Sequence, residues 1–214
     1  MGGLGAIVLA AGASERFGAG NKLLAEIGGE KLIRKVVRGC LDGAIAEAVV
    51  VTGCDEAQIA AALQGLPVRL IHNAAWRSGM GTSIASGIAA FGPDIEGAFV
   101  VPGDMPHLAA SLLLRLAASF EASKCRAVVF PADPSGEQRN PVLWPRRLFP
   151  DLMRLSGRGE AKDLLRAHRA ESIAVAVDDP TLLDDVDTQE NLEAARGLLR
   201  FRASLKESRR ITRR

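Results

Sequence analysis

Two cations and a carboxylate are the residues best placed to do chemistry. Arg16 and Lys22 lie in Leu9–Lys22, LAAGASERFGAGNK, directly after the apolar run Leu4-Gly5-Ala6-Ile7-Val8. A strand that empties into a small glycine-containing loop is where open α/β sheets bind nucleotides and phosphates. A triphosphate carries a charge of roughly −4 that must be neutralised before a nucleophile can approach, and a spaced arginine and lysine supply the counter-charge. Gly12 has no Cβ, so backbone amides there can come close to a base or phosphate. Asp104 stands in Pro102-Gly103-Asp104-Met105-Pro106, just beyond the apolar run Ala98–Val101 and at the same edge of the expected sheet. Magnesium prefers one or two carboxylates together with phosphate oxygens, so Asp104 is a suitable metal post. The plainer alternatives are a generic strand–loop–helix turn with solvated cations, and an aspartate that caps a turn.

The commoner phosphate motifs do not fit. Gly12 and Gly18 are separated by five residues and Gly18 is followed by Ala19, so GxxxxGK[ST] fails. GxGxxG fails here and again at Gly79-Met80-Gly81-Thr82-Ser83-Ile84. Gly81-Thr82-Ser83-Ile84-Ala85 falls one residue short of a nucleophile elbow, and a polar loop replaces the strand that such an elbow requires. Gly79–Ser83 instead opens a helix, whose N-terminus favours polar or anionic ligands.

The elements that must position these residues follow from periodicity. Leu4–Ala10, Ala48–Thr52, Val68–Ile71, Ala98–Val101 and Ala127–Phe130 read as short strands. Helices are expected at Lys31–Leu41, from Asp55 with a capping box to Gln58, near Ser83–Phe91, at Ala109–Phe120 and at Thr188–Leu199. This alternation predicts an α/β chain with βαβ units and a mostly parallel sheet. The rhythm falters after Pro131, and residues 131–173 are expected to form an acceptor-facing portion on the same sheet, with Glu171–Val177 returning to it.

Length and charge narrow the function. The 214 residues fit one domain, residues 1–199, followed by a basic tail, residues 200–214. The tail has seven cations against Glu207 alone, so it carries +6 and the body before it −4 of the net +2. The simplest expectation for it is a flexible, solvated end. An acidic body with only 4% aromatics and no tyrosine lacks both the basic footprint and the stacking platforms of a nucleic-acid binder. Cys40, Cys54 and Cys125 are scattered without CxxC spacing, which argues against a disulfide framework or structural zinc. With no signal peptide and no apolar run near 18 residues, the expected setting is cytoplasmic, with no membrane partner.

The pattern LxAGxSxRxGxxxK in the opening loop closely resembles the signature of the MobA-like NTP transferase family, and the resemblance extends over about residues 4–199. It implies a Rossmann-like three-layer α/β/α fold and a Mg2+-dependent nucleotidyltransferase in which Leu9, Ala10, Ala11, Gly12, Arg16 and Lys22 bind the nucleotide. Arg16, Lys22 and Asp104 would carry the catalysis, and Asp104 the metal. Asp184-Asp185-Val186-Asp187-Thr188 is similar to the family's DxDT-type element, which makes Asp187, or less readily Asp185, the second metal ligand. Capping of the last helix by Asp187 with Glu190, or Thr188 with Asn191, is the competing account. Gly81 and Ser83 match a helix start that faces the base in related cytidylyltransferases. Asn140-Pro141 resembles an acceptor-side element, as does Gly157–Lys162, where Arg158 replaces the usual acid. The Leu9-Ala10-Ala11-Gly12 form resembles the molybdenum cofactor cytidylyltransferase branch, which implies CTP, a molybdopterin acceptor and molybdenum hydroxylases as recipients. GTP or another triphosphate with a different phosphorylated acceptor, or a non-catalytic cofactor chaperone, are the alternatives.

Overall fold

The computed structural model describes residues 2–18, 20–43 and 45–211, the last six of these as helix backbone alone. In β1 (Gly3–Ala10), Ala6, Val8 and Ala10 pack on one side of the strand while Ile7 and Leu9 pack on the other. A strand covered on both faces is apolar throughout rather than alternating, and that is how this run reads. After the opening loop come a two-residue hairpin, β2 (Glu26–Ile27) and β3 (Glu30–Lys31), then α1 (Leu32–Leu41), β4 (Glu47–Thr52), α2 (Glu56–Ala62) and β5 (Arg69–His72). The chain continues through α3 (Met80–Ala89), β6 (Ile95–Pro102), α4 (Ala110–Ala122) and β7 (Val128–Ala132). It closes with β8 (Val142–Pro145), the short α5 (Phe149–Leu152), α6 (Glu160–Ala167), β9 (Ser172–Ala176) and α7 (Gln189–Ile211).

Seven strands form the main sheet in the order β5-β4-β1-β6-β8-β7-β9. β1 pairs in parallel with β4 and β6, β4 with β5, and β7 with β9. Only β8 runs the other way, antiparallel to β6 and β7, so the sheet is mostly parallel as the sequence predicts. One face is covered by α1, α2, α4 and α7, through residues such as Val36, Ile59, Leu116 and Leu192. The other is covered by α3, α5 and α6, through Ile84, Ile88, Leu152 and Leu165. Three layers result, with β1 and β6 at the centre and their carboxyl ends side by side.

Local expectations were revised at three places. Asp55 does not build a capping box: it sits at φ 55° with no capping bond from its side chain. Its carboxylate instead accepts from Asn21 Nδ2 at 3.1 Å. α3 starts three residues earlier than Ser83, directly after Gly79. The basic stretch from Arg200 continues α7 through Ile211. Residues 198–211 contain neither glycine nor proline, so nothing in them stops a helix. Arg202 Nη2 also ties that stretch to the body, bonding Asp179 Oδ2 at 2.5 Å and Thr181 Oγ1 at 2.6 Å. The last three residues of the expected tail lie outside the described residues. Among the described residues, no helix is long and apolar enough to cross a membrane.

Candidate active site

The opening loop is shaped by two of its own polar side chains. Ser14 adopts φ 55° and its hydroxyl donates to Asn21 Oδ1 at 3.1 Å, while the Lys22 amide donates to Ser14 Oγ at 3.2 Å. Asn21 Oδ1 also accepts from the Leu23 amide at 3.0 Å. These bonds close the loop on itself and turn Lys22 toward the end of β6. There, the Gly103 amide donates to the Leu9 carbonyl at 3.0 Å, and a Cβ at Gly103 would meet that same oxygen at 2.6 Å. Glycine at this position therefore lets the two strand ends close up, with Asp104 next in line.

Asp187 arrives from the far end of the chain. The Val186 amide donates to the Asp104 carbonyl at 2.9 Å, pinning the segment before α7 against the end of β6. Thr188 and Asn191 cap α7 reciprocally: the Thr188 amide donates to Asn191 Oδ1 at 3.1 Å and the Asn191 amide to Thr188 Oγ1 at 3.2 Å. Capping thus falls to Thr188 with Asn191, which frees the Asp187 carboxylate for the cations of the loop. Lys22 Nζ lies 2.6 Å from Asp104 Oδ2 and 2.7 Å from Asp187 Oδ1, and Arg16 Nη2 lies 2.9 Å from Asp187 Oδ2.

The electrostatics follow from burial and pairing. Lys22 and Asp104 side chains are only 15% and 16% exposed, against 77% for Arg16. Burial on its own would lower the Lys22 pKa, but the charge of Asp104 and the bonds to Asp104 and Asp187 reverse this and leave it raised. Burial raises the Asp104 carboxyl in spite of Lys22. The hydrogen bond from Lys22 lowers Asp187. Asp104 Oδ1 is buried without a hydrogen-bond partner, an orphaned hard oxygen of the kind that a divalent cation satisfies. Asp185 is exposed, and it adds only like charge near Asp104. Among the described residues, no group of three or more His, Cys, Asp and Glu side chains could hold a metal ion. Asp104 and Asp187 are two carboxylates that could hold a magnesium-type ion, which completes its shell with water and phosphate oxygens.

Above this centre opens a cleft of about 930 Å³. Leu9, Ala11, Gly12, Arg16, Lys22, Gly81, Ser83, Asp104 and Asp187 all line it, so most of the residues expected from sequence come together. Ala10 is not among the lining residues and packs into the core, because neighbouring strand residues point to opposite faces. Gly12 has nothing within 4 Å of where a Cβ would stand, leaving room on that wall. Ser83 is buried, with its hydroxyl accepting from Asn73 Nδ2 at 3.0 Å. Gly81 differs from expectation: its amide is taken up by the Gly157 carbonyl at 2.9 Å. A Cβ at Gly79 or Gly81 would lie 2.6–2.7 Å from Gly157, so these glycines let the Ser156–Glu160 turn seat on the start of α3. Glu160 Oε2 holds that turn by accepting from the Ser156 and Gly157 amides at 2.5 and 2.9 Å.

Asn140 and Pro141 lie just before β8 and are not among the residues lining the cleft. Its far wall is formed by Trp76, Arg77, Arg158 and Lys162 instead. Among the described residues the side chains of Arg77, Arg158 and Lys162 pair with no carboxylate, although Arg77 stacks 4.3 Å over the Trp76 ring. Asn73, Trp76 and Arg77 were not singled out from sequence. They belong to a polar loop without a motif, and only the expected helix start after it hinted at a site.

A doubly covered, mostly parallel sheet with such a cleft at its central strand ends is the architecture of a nucleotidyltransferase. The chain belongs to the MobA-like NTP transferase domain family, which matches residues 6–173. It is 33% identical over 154 residues to a molybdenum cofactor guanylyltransferase of Rhodopseudomonas palustris strain BisB5, covering 70% of each chain. It is 28% identical over 190 residues to nicotine blue oxidoreductase of Paenarthrobacter nicotinovorans, covering 87% of this chain and 93% of that protein. Among solved structures it resembles Rv0371c from Mycobacterium tuberculosis H37Rv, with a TM-score of 0.80 at 20% identity, covering 92% and 98% of the two chains. A manganese complex of Rv0371C superposes with a TM-score of 0.74 at 19% identity, over 90% of this chain and 97% of that one.

Proposed function

We propose that this nucleotidyltransferase moves CMP from CTP to the phosphate of molybdenum-bound molybdopterin, giving molybdopterin cytosine dinucleotide and pyrophosphate. The observation that carries the reading is the convergence of Lys22, Arg16, Asp104 and Asp187 at the ends of β1 and β6. An acceptor phosphate oxygen forms the new bond to the α-phosphorus as the bond to the β-phosphate oxygen breaks. Pyrophosphate leaves with that electron pair. Lys22 and Arg16 neutralise the triphosphate and hold the leaving group, which is most of what the protein contributes to this class of reaction. Asp104 and Asp187 would hold the magnesium ion, and a divalent ion held there supplies positive charge at the α-phosphate. The manganese found with a protein of the same fold agrees with such a site. Leu9, Ala11 and Gly12 border the base, with Ser83 on the facing helix. The acceptor lies along Arg77, Arg158 and Lys162. The finished cofactor then goes to molybdenum hydroxylases.

A second reading keeps the site and changes the base. The relative named as a guanylyltransferase favours GTP, whereas the resemblance of Leu9-Ala10-Ala11-Gly12 to the cytidylyltransferase branch, with Ala11 on the cleft, favours CTP. The oxidoreductase name stays with the protein that bears it, since this loop lacks the GxGxxG spacing of dinucleotide binding. Pyrophosphate release with each of the four ribonucleoside triphosphates, Mg2+ and molybdenum-bound molybdopterin decides among these. Turnover is expected with CTP. Turnover with GTP alone would replace the base assignment, and turnover with none would leave the cofactor-chaperone account in its place.

A further inference from the structure

Two carboxylates border one gap, and Lys22 already occupies it. Asp104 and Asp187 are distant in sequence, but the bond from the Val186 amide to the Asp104 carbonyl fixes the distance between their segments. Lys22 Nζ fills the space between their facing oxygens, 2.6 Å from one and 2.7 Å from the other. A magnesium ion bridging those same oxygens would have to lie about 2.0–2.1 Å from each, in the space that Nζ fills. Two cations cannot share it, since their repulsion rises as the separation falls and little water is present to screen it. Lys22 is held firmly: Nζ pairs with both carboxylates, and the loop bonds of Ser14 and Asn21 fix its backbone.

We propose that Lys22 is a placeholder for the divalent cation, keeping the two carboxylates assembled and yielding the gap only when a triphosphate offers Nζ another anionic partner. Metal and nucleotide then enter together, and metal alone binds poorly. This inference rests on the nucleotidyltransferase reading for its second half only. The exchange gives Lys22 a positioning role that precedes its role toward the phosphates. It also explains why a partly buried lysine stands between two carboxylates that would otherwise be a ready-made metal post.

The test is Mn2+ binding to the full chain, followed by the electron paramagnetic resonance of free Mn2+, with and without CTP. Wild type should bind Mn2+ weakly alone and more tightly with CTP. Lys22→Met should bind Mn2+ without nucleotide on the order of tenfold more tightly than wild type, one competing charge removed. Adding Asp104→Asn to that variant should abolish the gain. Mn2+ binding to Lys22→Met that is equal to or weaker than wild type overturns the proposal, as would be seen if metal sat only on the buried, unpartnered Asp104 Oδ1. Lys22→Gln gives the same reading should the methionine variant fail to fold, with a thermal melt as the check. If Lys22→Met gains Mn2+ affinity but neither CTP nor GTP affects wild type, the placeholder stands and the nucleotide reading falls.

Discussion

The two walls of the cleft carry similar cations in opposite electrostatic states. On the near wall Lys22 and Arg16 are matched against Asp104 and Asp187 at 2.6–2.9 Å, with the loop bonded to itself beneath them. On the far wall Arg77, Arg158 and Lys162 are exposed and face no carboxylate partner among the described residues. A matched, partly buried set is preorganised: its groups need not move far to meet developing charge, which is the property a reacting centre needs. An unmatched, solvated set is adaptable and draws in an anion without fixing its geometry. The difference suggests chemistry on the near wall and recognition on the far one, where the bond from the Gly81 amide to the Gly157 carbonyl ties the start of α3 to the turn that carries Arg158.

The largest expected effect comes from breaking the near wall. Asp104→Asn is isosteric but removes the charge that both the metal and Lys22 use, and turnover should fall on the order of 10²–10³-fold or more. Pyrophosphate release under saturating substrates measures it. Activity within tenfold of wild type would mean that the chemistry does not run through Asp104. On the far wall the effect should appear in a different constant. Arg158→Ala with Lys162→Ala should raise the KM for the acceptor by about tenfold or more, since hydrogen bonds to charged groups are each worth roughly 1.5–3 kcal/mol. The dissociation constant of CTP should stay put. A matching loss of CTP affinity would show that both walls bind the nucleotide.

Glu160 tests the turn that carries the far wall. Glu160→Ala removes the acceptor of the Ser156 and Gly157 amides and loosens the turn seated on α3. The acceptor KM should rise by less than in the double variant. Glu160→Gln, which keeps one acceptor oxygen, should restore most of it. Loss of CTP binding in Glu160→Ala, with the acceptor constant unmoved, would place this turn on the nucleotide side instead.

What the sequence disclosed follows the same division. The near wall was readable because its parts are contiguous or sit at strand ends. Ser14, Arg16 and Lys22 share one loop, and Asp104 follows directly on a run of apolar residues. Even Ala10 was decidable, because strand alternation sends it to the core when Leu9 and Ala11 face the cleft. The far wall was much less readable. Its residues come from a loop around Trp76 and from the turn before α6, which meet where Gly79 and Gly81 seat against Gly157. These segments are distant in sequence, so nothing local announced that arrangement. Asn140 and Pro141 were singled out by likeness to a motif, and that likeness did not bring them to the cleft. α7 runs on past Arg200 through Ile211, where the density of charge pointed to a tail.

The smallest effect discriminates within the near wall, because the two carboxylates on Lys22 act on stability with opposite signs. Burial raises the folded-state pKa of Asp104. Between the unfolded value, about 3.9, and that raised value the folded protein binds more protons than the unfolded one, so stability falls as pH rises through this window. Above it the ionised Asp104 remains a net cost, which Asn lacks. Asp187 is lowered, chiefly by the hydrogen bond from Lys22. Its contribution is complete above the unfolded value and is lost as pH falls through the folded one. At pH 7 Asp104→Asn should therefore melt at or above the wild-type temperature, and Asp187→Asn below it. The scale is a few degrees, since about 1 kcal/mol shifts a chain of this size by roughly 2–4 °C. The Asp187→Asn deficit should shrink as pH falls below the unfolded value, about 3.9, where the unfolded chain takes up the proton first, and vanish through the lowered folded value. Thermal melts of both variants from pH 3 to pH 8 measure this. A lower melting temperature for Asp104→Asn at pH 7 would mean that the Lys22–Asp104 pair stabilises the fold, and that the near wall is kept for structure as well as for charge.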